Sequence, residues 1–160
     1  RETELDVATL ARRVVDQHSG QEPAPVYHGP LSEVMVRADP QQLQNVLSHL
    51  VQNAQDATPR DGEVSLTLKA GSGVAVLFVQ DTGHGMSETF IRDSLFRPFQ
   101  STKGLTGMGI GAYQAQEYVR QIGGAMDVTS EPGLGSCFTI RLPLAPPQAG
   151  TEPEMLKESR

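Results

Sequence analysis

The residues best suited to chemistry fall in three places. The first is Asp81, which closes a run of apolar and β-branched residues from Val74 to Val79 and is followed at once by Thr82-Gly83-His84-Gly85-Met86. A carboxylate at a strand end needs hydrogen-bond partners if it is buried. It is also a natural acceptor for an exocyclic amine such as that of adenine. Gly83 and Gly85 lack a Cβ, so the backbone there can take positive φ and let a flat ligand lie against it. A plain strand followed by an Asp-containing turn would be written with the same letters. The second place is a polar row, Gln42, Asn45, His49, Asn53 and Asp56, recurring at intervals of three and four. On a helix these residues share a face. A solvated face would explain them, although such faces usually carry Lys and Glu, whereas this one offers amides, an imidazole and a carboxylate. The third is Gly107-Met108-Gly109-Ile110-Gly111, which runs into a helical pattern just after Ser101-Thr102-Lys103-Gly104. Exposed N–H groups and the helix dipole favour an anion at such an entry. A flexible helix start without a ligand is the alternative.

The elements that must hold these residues can be read from periodicity. Leu5, Ala8, Leu10, Ala11, Val14 and Val15 predict an amphipathic helix from Glu2 to His18, ended by Ser19-Gly20. Short strands are predicted at Val26–His28 and Glu33–Ala38. Asp39-Pro40 is a helix start, an N-cap acceptor followed by a proline in the first turn, and Leu43, Leu47, Leu50, Ala54 and Ala57 form the apolar stripe of the helix that carries the polar row. Strands at Glu63–Lys69 and Val74–Asp81 are joined by Gly71-Ser72-Gly73 as a hairpin ending at the carboxylate. A short helix from Ser87 to about Leu95 follows, then Phe96-Arg97-Pro98-Phe99 and a polar loop. A helix from Ala112 to Ile122 and two strands, Ala125–Ser130 and Ser136–Leu142, complete the pattern. Residues 1–144 read as one domain, and 145–160, rich in Pro, Gly, Glu and Lys, as a disordered tail.

Composition narrows the function classes. A chain of 160 residues with a net charge of −6 has enough length for a single core. It shows no basic patch that would attract nucleic acid or a membrane surface. The single cysteine, Cys137, cannot form an intramolecular disulfide, which suits a reducing, cytoplasmic setting. No apolar run approaches the length of a membrane span, and an Arg at the first position suggests a fragment or a processed chain.

The features occur in a fixed order: an amide-bearing helix, Asp-x-Gly-x-Gly, Phe-x-x-Phe with Ser-Thr-Lys, and a glycine-rich helix entry. With that order the chain resembles the ATP-binding catalytic domain of sensor histidine kinases, within the wider fold shared with gyrase, Hsp90 and MutL. Leu43 to Thr58 resembles the N box, with Asn53 at the place of the magnesium-binding Asn. Asp81 to Gly85 is similar to the G1 box, Phe96 to Phe99 to the F box, Thr106 to Gly111 to the G2 box, and Gly133-Leu134-Gly135-Ser136-x-Phe138 to the last glycine motif. The wording of Phe99 to Lys103 and of Gly107 to Tyr113 is similar to that of kinases associated with the PEP-CTERM/exosortase system. The resemblance implies an α+β fold, a two-layer α/β sandwich in which helices cover one face of a mixed sheet. It implies ATP and Mg²⁺ as cofactors, with Asn53 on the metal and Asp81 on the adenine amine. Asp56, Gly83, Gly85, Met86, Phe99, Thr102, Lys103, Gly107, Met108, Gly109, Ile110 and Gly111 would complete the nucleotide site, Lys103 reaching the outer phosphates.

The sequence departs from that pattern at His49, where many such kinases carry a second Asn and the related ATPases a Glu base. An imidazole there could accept a proton or orient water, or be a neutral His bonded to a neighbour. The implied reaction is transfer of the γ-phosphoryl group to a histidine on a separate phosphoacceptor domain, with a response regulator downstream and this piece monomeric. None of His18, His28, His49 and His84 has the helical, acidic context of an acceptor, so the chain alone is not expected to phosphorylate itself. A serine kinase of the anti-sigma type and a nucleotide-binding module without transfer are the competing readings.

Overall fold

The computed structural model describes residues 1–98 and 111–146. The first departure from the periodicity comes at the N-terminus. The predicted helix from Glu2 divides into a strand, β1 (Thr3–Asp6), and a helix, α1 (Val7–Gln17). Asp6 is the reason: its Oδ1 accepts the N–H of Ala8 (3.0 Å) and that of Val34 (2.9 Å), while Thr9 donates its hydroxyl to Oδ2 (2.6 Å). A capping carboxylate stops the helix from extending backwards. Residues before it pair instead with β3 (Met35–Ala38), antiparallel, in a small two-stranded sheet.

Between these strands lies β2 (Pro25–His28), and after them α2 (Pro40–Asp56). Asp39 caps α2 by accepting from the N–H groups of Gln41 (2.9 Å) and Gln42 (3.2 Å). Leu43, Val46, Leu47, Leu50, Val51 and Ala54 bury one side of it, each fully buried Leu contributing about 1.5–3 kcal/mol. The buried Gln55 amide lies within hydrogen-bonding distance of the carbonyls of His18, Gln21 and Pro23, and so fastens the loop after α1 to α2.

The main sheet runs in the order β2, β4 (Val64–Gly71), β5 (Val74–Asp81), β7 (Gly135–Pro143), β6 (Ala125–Glu131). β2 and β4 are parallel and the other neighbours antiparallel, so the sheet is mixed as expected. The turn between β4 and β5 is tighter than the sequence suggests, because Gly71 belongs to the strand. Ser72 (φ 55°) and Gly73 (φ 80°) alone make the two-residue turn, both in the left-handed region that matches strand twist.

Period-two burial puts Leu66, Leu68, Leu77, Val79, Ile140 and Leu142 against α1, α2 and α4 (Ala112–Gln121). Thr67, Phe78, Gln80, Thr139 and Arg141 point away from the helices. The region predicted as one short helix is α3 (Glu88–Phe90), capped by Ser87, continuing into a π-helical turn at Ile91–Leu95. At the far end, Leu144 bridges to Val36 and the Ala145 N–H bonds the Met35 carbonyl (2.8 Å), so order continues past residue 144; the remainder of the predicted tail lies outside the described residues.

Since Asp6 holds a helix start and the loop before β3 together, Asp6→Ala is expected to lower the unfolding free energy by about 1–2 kcal/mol. Urea denaturation measures this, with Asp16→Ala, exposed on the same helix, leaving the midpoint unchanged.

Candidate functional site

The hydrogen-bonded end of β5 fixes the first site residue. Asp81 is 7% exposed, and its Oδ1 accepts the N–H of Gly83 (2.8 Å) and that of Ser136 (3.3 Å). Ser136 stands directly opposite Asp81 in the β5–β7 register. Burial pushes the Asp81 carboxyl above its ordinary value, and the two amides and the charge of His84 offset this only in part. The two donors sit on one oxygen, and the other oxygen has no protein partner among the described residues.

The turn after it is set by backbone contact. A Cβ on Gly83 would overlap the carbonyl of Ala57, which also accepts the His84 N–H (3.1 Å). Gly85 has φ 71°, and a Cβ there would overlap the carbonyl of Glu131. The expected positive φ is found at Gly85, which also lines the cavity described below, and the absence of a Cβ at both glycines lets the turn wedge between the end of α2 and the β6–β7 turn. Ser130 completes the joint. Its Oγ accepts the Met86 N–H (2.8 Å) and lies 2.8 Å from the Ser136 Oγ and 2.9 Å from the Gly135 carbonyl, to which it can donate.

These elements enclose a cavity of about 370 Å³, within the range of small-molecule sites. α2 supplies Leu50, Asn53, Ala54 and Asp56; the turn supplies His84, Gly85 and Met86; Phe90, Leu95 and Phe138 add apolar surface, with Asp81 and Ser136 as polar groups. A larger hollow of about 600 Å³ lies beside it, lined by outward-facing groups such as His28, Arg60, Ser65 and Gln80.

The polar row on α2 does not act as one face. Gln42 and Asn45 are exposed to solvent, His49 is 1% exposed, and Asn53 and Asp56 line the cavity. The Asn53 Nδ2 lies 3.1 Å from the His49 Nε2, while the Asn53 Oδ1 is buried without a hydrogen-bond partner among the described residues. Asp56 accepts at Oδ1 from the side-chain amides of Gln21 (3.1 Å) and Gln52 (3.0 Å), which hold it at the rim.

Of the residues singled out in the sequence, Asn53, Asp56, Asp81, Gly85 and Met86 come together around this cavity, with Gly83 just behind it. His49 is beside Asn53 but does not line the cavity. Gly111 is the N-cap position just before α4, and its N–H donates to the Gln114 Oε1 (2.9 Å) rather than standing open to an anion. Phe99, Thr102, Lys103, Gly107, Met108, Gly109 and Ile110 lie outside the described residues. Ser130, Ser136, Phe90 and Leu95 were not foreseen as site residues. The strand pairing that opposes Ser136 to Asp81 spans 55 residues, and only the alternation of Phe138, Ile140 and Leu142 hinted at the register.

Comparison with known proteins agrees with this architecture. Residues 38–146 match the family described as histidine kinase-, DNA gyrase B-, and HSP90-like ATPase. The chain belongs to that family. Among curated relatives it is 37% identical over 110 residues to the sensor histidine kinase ZraS of Klebsiella oxytoca, a match covering 68% of this chain and 23% of ZraS, so the chain corresponds to about a quarter of that protein. Among solved structures, full-length ShkA in complex with AMPPNP superposes with a TM-score of 0.76 at 27% identity, covering 92% of this chain and 32% of ShkA. The catalytic domain of the histidine kinase ThkA gives a TM-score of 0.77 at 24% identity, covering 91% and 99%. The structural neighbours are histidine kinase catalytic domains, and the two-layer α+β sandwich is theirs.

Because the Asp81 carboxyl has a raised pKa in the folded state, the fold favours its protonated form. Its ionisation therefore removes stability as pH rises from the ordinary carboxylate value through the folded pKa. Asp81→Asn keeps the Oδ1 acceptor and removes the charge. It is expected to raise the urea midpoint at pH 7 when no ligand is present, by a margin that shrinks towards pH 4.

Proposed function

We propose that the chain binds Mg·ATP in the cavity between α2 and the Asp81 turn and supplies the γ-phosphoryl group to a histidine on a separate phosphoacceptor domain, in two-component signalling. The observation that carries this is Asp81 itself. A carboxylate is buried at the cavity wall with one oxygen fixed by two backbone amides, leaving the other to accept from the amine of a purine. Leu50, Met86 and Phe138 offer the apolar surface a base needs. Family membership and the nucleotide analogue in the ShkA complex support the same ligand for this chain.

The Asn53 Oδ1, buried and without a hydrogen-bond partner among the described residues, fits a hard cation, since Mg²⁺ takes oxygen ligands and is commonly held by one or two protein groups together with substrate phosphates. Asn53 would hold it, and the ion would supply neutralisation of phosphate charge. The resemblance assigns the phosphate end to Thr102, Lys103 and Gly107 to Ile110, and counts Phe99 among the nucleotide-site residues. The work of this domain is positioning and electrostatics rather than covalent chemistry.

The acceptor histidine lies on another domain in this reading. His49 is enclosed in the core, and His18, His28 and His84 sit in loops or at element ends. ThkA has been solved in complex with the response regulator TrrA; by analogy a response regulator is the downstream partner here. No helix among the described residues is long and apolar enough to cross a membrane. We place the domain in the cytoplasm, as a monomer when isolated, its parent protein anchored or free.

Calorimetric titration with ADP and with a non-hydrolysable ATP analogue tests the site. Asp81→Asn is expected to weaken both by about 100-fold or more, because the base then meets an amide N–H where it needs an acceptor. Asn53→Ala is expected to weaken binding only when Mg²⁺ is present. Unchanged affinity in both variants would remove the site. Incubated alone with labelled ATP, the chain is expected to gain no phosphohistidine.

A further inference from the structure

One buried titratable group is not used by the reading above. His49 and Asn53 are four residues apart on α2, so their side chains stack on one face of the helix. His49 is 1% exposed and is absent from the cavity wall that Asn53 lines. A group acting as base on a phosphate-bound nucleophile has to reach the reacting atoms, directly or through one water. His49 lies against Asn53 and does not line the cavity.

The contact between the two has a definite sense. An Asn side chain offers donors only from its nitrogen, and here Nδ2 is the atom 3.1 Å from the His49 Nε2. Nε2 must therefore accept, which requires a neutral ring with its proton on Nδ1. This bond decides which way the Asn53 amide faces. With Nδ2 engaged by His49, Oδ1 is left over, and it is this oxygen that is buried without a hydrogen-bond partner among the described residues. The opposite orientation would turn an NH₂ group towards the cation and repel it. An amide is close to symmetric in shape, so packing alone discriminates poorly between the two orientations; a hydrogen bond from one end discriminates well.

We propose that His49 is a positioning residue for the metal ligand: its neutral imidazole accepts from the Asn53 Nδ2 and so reserves the Asn53 Oδ1 for the Mg²⁺ that accompanies the nucleotide. This rests on the Mg·ATP reading above. It assigns His49 no contact with the γ-phosphate and no proton transfer. An outer-shell partner of this kind typically changes metal affinity by 10- to 100-fold when removed.

The test is a titration of the 160-residue chain with ADP, with and without Mg²⁺, the ratio of the two dissociation constants giving the metal-dependent gain. His49→Leu removes the acceptor at similar volume, and is expected to cut that gain by about ten-fold or more while leaving metal-free ADP binding within about two-fold. His49→Gln, whose side-chain oxygen can accept from the Asn53 Nδ2, is expected to restore most of the gain. A His49→Leu variant that folds and keeps the full gain overturns the proposal, as does a Gln variant no better than Leu. If the Leu variant does not fold, long-range ¹H–¹⁵N spectra of the native chain at neutral pH decide instead. A ring protonated on Nδ1 alone agrees with the assignment, and a proton on Nε2 overturns it. Failure of the native chain to bind ADP at all would overturn the nucleotide reading, and the proposal with it; intact, Asp81-dependent binding with an unaltered gain in His49→Leu would overturn the proposal alone.

Discussion

The arrangement depends on the burial of one carboxylate at the end of a central strand. Charge is costly to remove from water, and Asp81 tolerates it because two backbone N–H groups from different parts of the chain converge on one of its oxygens. One donor is local, two residues on in the turn. The other comes from β7 and exists only while the β5–β7 register is held. Any slip by one residue would turn Ser136 away and bring Asp81 to the opposite side of the sheet. Holding the register thus fixes both the core and the acceptor.

The turn that follows is bound by the same constraint from both sides. The Ala57 carbonyl, at the end of α2, accepts from His84 and leaves no space for a side chain at Gly83; the Glu131 carbonyl does the same at Gly85. Ser130 then ties Met86 to the strands that provide Ser136. Helix, turn and sheet meet within a few residues of Asp81, and backbone contacts hold the walls of the cavity between them. The apolar side of α2, packed against Leu66, Leu77 and Val79, sets the height at which Asn53 and Asp56 look across at the turn.

A helix that buries one side on a sheet and lines a cavity with another must place polar groups between the two. His49 lies at that boundary. It is fully enclosed, yet its neighbour one turn on is a cavity residue. Buried polar groups need partners, and the pair meets part of this need internally through the Nδ2 to Nε2 contact, while the Asn53 Oδ1 has no hydrogen-bond partner among the described residues. Asp56 is treated in the same manner at the rim, where two glutamine amides hold it.

Much of this was legible in the sequence because it is local. The hairpin ending at Asp81, the cap and stripe of α2, the alternation in β7 and the ordered motifs that carry the family resemblance are all set by residues within a few positions of one another. Their periodicity and turn chemistry belong to the chain itself. What only the tertiary structure decided involves residues far apart. Asp6 became a cap rather than a helical residue because Val34 also bonds to it, and Thr3–Asp6 became a strand because Met35–Ala38 lay alongside. The glycines of the turn answer to carbonyls 26 and 46 residues away in the chain, at Ala57 and Glu131. Ser136 joined the site through strand register, and His49 left the solvent through helix packing. Hydrogen bonds and close contacts between distant segments have no periodicity to announce them; they exist only once the core has brought those segments together.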